Sequence, residues 1–93
     1  MVSIATFIVN YPEFADSPPA IIQNELNNAY SMTPSSVWPA ALVDQAAQLR
    51  TAQSLALSPF ARPLALVSDE GKTVYDARLE RLISIAAAGG SVL

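Results

Sequence analysis

The chain has 93 residues, of which 52% are hydrophobic and only 14% charged; the net charge is −3, and it contains neither cysteine nor histidine. This composition bounds one small domain with a thin core, excludes disulfides and thiolate chemistry, and removes the commonest general base and metal ligand. Five basic residues, Arg50, Arg62, Lys72, Arg78 and Arg81, are too few for a nucleic-acid face, and the shortfall against the ~25% charge of an average soluble domain predicts that apolar surface meets another chain.

The first predicted element is a short helix within residues 1–10, with Ser3 as its N-cap and Phe7 and Ile8 three and four residues after Ile4. Its β-branched residues make a strand the competing reading, and Pro12 ends the element either way. A second helix, 17–32, opens at Pro18-Pro19 with Asp16 or Ser17 as cap and carries a stripe of Ile22, Leu26 and Ala29.

A third, central helix is predicted over 36–58, capped by Ser35 or Ser36 with Pro39 in its first turn. Leu42, Ala46, Leu49 and Ala56 form its stripe, widened by Val43, Ala47 and Ala52. Pro59 and Pro63 interrupt any continuation of the helix, so 59–72 reads as an extended connection in which Leu64 to Val67 form a short strand or an arm. The last helix, 73–88, presents Tyr75, Leu79, Leu82 and Ala86, thickened by Ile83. Gly89-Gly90 is expected to end it and leave 89–93 as a tail. The fold class expected is all-α: one small bundle of about four helices with an extended arm between the third and fourth.

Catalytic chemistry finds little support. Asp69-Glu70 is the one adjacent acidic pair and reads as a solvated turn before Gly71. The serines lack a His or Cys partner, and three glycines provide no phosphate loop. No stretch reaches the ~20 apolar residues of a membrane span, and the opening lacks the basic region of a signal peptide. The expectation is a soluble intracellular protein that is not an enzyme and takes no cofactor or metal. Arg78 and Arg81, three apart on the last helix, suit a solvated or intersubunit ion-pair face. Trp38, the only tryptophan, is read evenly as core or as interface anchor. Phe60 and Arg62, in the proline-rich connection, lean to interface.

One stretch is more specific. Tyr11-Pro12-Glu13-Phe14-Ala15-Asp16, then a proline-started helix carrying Ile22-Gln23 and Leu26-Asn27-Asn28-Ala29, resembles the small head-to-tail adaptor (head-completion, connector) proteins of tailed phages. Members of that family carry a "PEF" motif followed by a helix of the form I-Q-x-x-L-x-x-A. Trp38 stands where they often have a tryptophan, and the Ala-rich third helix and "GKTVYDARLERL" are similar to their later helices. Where they commonly have a histidine in the third helix, this chain has Gln53.

The resemblance implies a ring, usually of twelve subunits, stacked under the portal in the virion neck after synthesis in the host cytoplasm. Such a ring prolongs the DNA channel, passes DNA without sequence-specific binding or membrane contact, and docks the tail or a stopper (nozzle) protein below. Tyr11, Pro12, Phe14, Ile22 and Leu26 become packing positions. The interface set is Trp38, Phe60, Arg62, Tyr75, Arg78, Arg81, Val92 and Leu93, with the last helix and tail reaching the portal. The alternative is a small helical protein-binding or regulatory module without catalytic activity.

Overall fold

Ser3 starts the first helix as expected: its Oγ accepts the Thr6 N–H at 3.1 Å, which satisfies one donor of an otherwise open first turn. The computed structural model describes residues 1–58, Leu66 and residues 72–92, the side chains of 87–92 excepted. The competition between helix and strand resolves as helix α1, Ile4–Asn10. Tyr11 ends it with φ −132° and ψ 70°, because a residue before proline is pushed out of the helical region. A single 3-10 turn, Pro12–Phe14, comes next.

The second and third helices begin later than predicted, for one reason. Helix α2 is Pro19–Ser31 and helix α3 is Ala40–Ala56. Their cap positions are Pro18 and Pro39, with ψ of 126° and 136° and no side-chain cap. Pro19 forces Pro18 into extended backbone, and Asp16 and Ser17 are then too far upstream to reach the first-turn amides. Ser35 and Ser36 are likewise not the cap of α3. The residues before Pro39 form their own turn, in which the Val37 and Trp38 N–H groups both donate to the Pro34 carbonyl, at 3.1 and 3.0 Å.

Helix α4, Asp76–Val92, departs from expectation at both ends. At its start, the Val74 N–H donates to the Leu66 carbonyl at 3.0 Å, and Val74 and Tyr75 form a turn instead of helix. Thr73 then organises the first turn: its hydroxyl accepts the Tyr75 N–H at 3.2 Å and donates to Asp76 Oδ1 at 2.5 Å. At its far end the helix runs through Gly89 and Gly90 to Val92, so the glycines do not stop it and 89–92 is not a separate tail. Glycine weakens a helix interior by ~1 kcal/mol each but adopts helical dihedrals freely. Apart from Leu66 and Lys72, the expected connection lies outside the described residues, and with it Phe60 and Arg62; Leu93 lies outside them too.

Among the described residues the chain is all-α, with α3 at its centre: α2 and α4 pack chiefly on α3, and α1 on the 3-10 turn and α2. The α2 stripe of Ile22, Leu26 and Ala29 is buried as predicted. On α3 the buried set is Ala46, Ala47, Leu49, Ala52, Leu55 and Ala56, with Leu42 and Val43 only partly covered. Four small alanines in that set let two helices close on one axis while still burying apolar surface at ~25 cal/mol per Å². Gln48 and Thr51 are buried among them. Thr51 Oγ1 donates to the Ala47 carbonyl at 2.9 Å, and Gln48 bonds Asn10 Nδ2 at 2.7 Å, so neither is left unsatisfied.

Candidate interaction surface

The aromatic motif at Tyr11–Phe14 builds the base of this surface. Phe7 stacks on Tyr11 and Phe14, with centroids 5.1 and 5.9 Å apart. Tyr75, just ahead of α4, closes the cluster edge-on to Tyr11 at 5.7 Å and tilted against Phe14 at 6.0 Å. The Tyr75 hydroxyl then donates to Glu13 Oε2, a bond across 62 positions of sequence. Burial first, and the Glu13 carboxylate second, push the Tyr75 phenol well above its ordinary range, so it stays a donor. A second clamp joins the other helices: the Tyr30 hydroxyl accepts the Val2 N–H at 3.0 Å and donates to Asp44 Oδ1 at 2.5 Å. Both clamps are structural, and the first fixes where α4 leaves the core.

Leu79 and Leu82 of α4 are buried against α3. The flanks of α4 are open and unlike each other. On one, Arg78 and Arg81 border a groove of about 300 Å³ whose floor is Leu49 and Leu82, with Tyr11 and Gln45 at its edge. Neither arginine makes an ion pair among the described residues, and Ile85, 51% exposed, lies seven residues beyond Arg78 on the same side. On the other flank Ile83 and Ala86 face Val37, Trp38 and Arg50 across a groove of about 280 Å³. Val37 is 74% and Ile83 44% exposed, so this groove offers apolar surface to solvent. Within it the Arg50 guanidinium lies over the Trp38 ring, 5.9 Å from its centroid, a cation–π geometry.

The structure scatters the expected interface set. Arg78 and Arg81 are exposed and share one groove. Trp38 and Tyr75 are 8% and 2% exposed and belong to the chain's own core. Trp38 still lends one edge to the second groove, whereas Tyr75 has almost no surface to offer another chain. Val92 lies on α4. The packing positions Tyr11, Phe14, Ile22 and Leu26 are all buried, while Pro12 is exposed and acts through its backbone at the start of the 3-10 turn. Arg50, Val37 and Ile85 were not anticipated. An arginine inside an alanine-rich helix beside the buried Leu49 was the available signal for Arg50, but its pairing with Trp38 depends on the turn at Pro34.

Chemically, the surface offers apolar contact and guanidinium donors. Among the described residues no three or more His, Cys, Asp or Glu side chains converge to hold a metal, and no helix is long and apolar enough to cross a membrane. Comparison of the chain with models of protein families, with curated proteins and with solved structures finds no match.

Proposed function

We propose that this chain is a virion structural protein, a head-to-tail adaptor subunit that assembles as a ring under a portal and docks a tail or stopper protein. The observation that carries the reading is the pair of dissimilar grooves on the two flanks of α4, one bordered by Arg78 and Arg81, the other by Val37, Trp38 and Ile83. A head-to-tail contact requires two different patches on each subunit, and repetition of such a contact closes into a ring when the rotation permits. The resemblance of residues 11–29 to the phage adaptors supplies the biological setting. An excess of acid over base, eight residues against five, suits a passage through which DNA must slide without sticking. The subunit acts by geometry, with no reaction of its own.

The test is the mass of the purified chain by light scattering, alone and mixed with a portal ring. Co-elution with the portal in many copies is the expected result. A compact monomer or dimer that ignores the portal favours the small partner-binding module instead, since one of the two grooves alone would serve a single protein partner.

A further inference from the structure

Arg50 stands half-buried on α3 beside the second groove. Its Nε is shut off from solvent and meets no acceptor, although a buried N–H on a charged group is among the most expensive donors to leave open. The side chain is already ordered: it sits half-buried on α3 and lies over Trp38. A fixed guanidinium loses little entropy on pairing. Around it the groove is lined by Val37, Trp38, Ile83 and Ala86, with no acid among the lining residues. A surface of this kind is complementary to a carboxylate flanked by apolar atoms.

We propose that this groove receives a carboxylate-bearing apolar segment from a second copy of the same chain, with Arg50 as the anchoring residue. Charge identifies the occupant. The chain is acidic, and Asp16, Glu25 and Glu80 have no side-chain partner among the described residues, in contrast to Glu13, Asp44 and Asp76, which accept from Tyr75, Tyr30 and Thr73. Each copy therefore carries both a guanidinium at the groove and spare carboxylates, and the apolar side chains Val37 and Ile83 at the rim exclude water from the pair. The inference deepens the ring reading by naming one half of its repeated contact.

The test is sedimentation velocity of the intact chain across about 1 μM to 1 mM, with Trp38 fluorescence monitored in parallel. The wild type is expected to self-associate and the emission of its only tryptophan to move to shorter wavelength as water leaves the groove. Arg50→Met keeps the stem and removes the charge, and it is expected to weaken association by about 30-fold or more. Val37→Asp alters an exposed position outside the core and places an acid beside Arg50 in the groove, so it is expected to block association without loss of helical CD. Wild-type association that both variants match overturns this inference while leaving the ring reading intact. A wild type that stays monomeric across the range overturns it as well, and the portal experiment then decides the ring reading separately.

Discussion

Removal of a single hydroxyl tests how the N-terminal motif and the last helix hold each other. In Tyr75→Phe the ring keeps its contacts with Tyr11 and Phe14, and only the bond to Glu13 is lost. Hydrogen bonds to charged groups contribute ~1.5–3 kcal/mol when buried. Glu13 is half-buried, and water re-solvates its carboxylate once the phenol is gone, so the expected loss falls to or just below the bottom of that range, about 1–1.5 kcal/mol. For a domain of this size that lowers Tm by roughly 5–10 °C. Glu13→Gln retains a neutral acceptor and is expected to cost about half as much, because a neutral bond is roughly half as strong.

Thermal unfolding monitored by CD for the two single variants and the double variant gives the coupling directly, expected at about 0.5–0.7 kcal/mol because the glutamine keeps about half of the bond. A coupling below ~0.3 kcal/mol, the scatter of independent sites, would mean that the bond contributes nothing and that the aromatic cluster alone seats α4. The pH dependence has a definite sign. The Tyr75 phenol is raised in the folded state, so its contribution is complete below the ordinary phenol range and disappears as pH climbs through the raised value.

Four further outcomes are expected. Ser3→Ala removes the acceptor of the Thr6 N–H and should cost ~1 kcal/mol, read as faster hydrogen exchange at Thr6 and Phe7; unchanged exchange would show that the cap is idle. The Asp76 carboxyl is held below its usual range, chiefly by the bonds from Thr73 and Gln53, so its stabilising contribution is present above the ordinary carboxyl range and lost as pH falls through the lowered value. The Tm advantage of wild type over Asp76→Asn should accordingly shrink on acidification, and a gap that stays constant refutes the assignment. Burial and the bond to Asp44 push the Tyr30 phenol up to about 12, so wild type should lose stability over Tyr30→Phe between the ordinary phenol value of ~10 and that raised value, seen in alkaline unfolding curves. Gly89→Ala and Gly90→Ala should each strengthen α4 by up to ~1 kcal/mol and raise the CD signal at the helix bands; a fall in helicity would show that the glycines stop the helix.

Much of the fold was legible because its causes are local. The cap of α1, the break after it and the stripe of α2 result from Ser3, Pro12 and the spacing of Ile22, Leu26 and Ala29, all of which act within a few residues, whereas the cap expected of Asp16 or Ser17 gave way to Pro18. Errors arose where two local rules compete. Serine favours the cap, yet Pro39 takes that position and sets the extended backbone before α3. Glycine favours a helix end, yet Gly89 and Gly90 are accommodated inside α4. Trp38 and Tyr75 illustrate the limit for sites, since large aromatic side chains serve cores and interfaces equally well, and only their burial against distant residues decides which.

The sequence by itself determined an all-helical chain with α3 at its centre, short of charge and without histidine or cysteine, because composition and 3.6-residue periodicity are properties of short stretches. The tertiary structure alone decided that Glu13 meets Tyr75, that Tyr30 ties Val2 to Asp44, and that Arg50 lies over Trp38 with an unfilled donor. These pairs are separated by 12 to 62 positions along the chain, and no local propensity carries information across such distances. They form only when α2 and α4 close on the two sides of α3, and the same closure opens the two unlike grooves through which this chain is proposed to meet its neighbours.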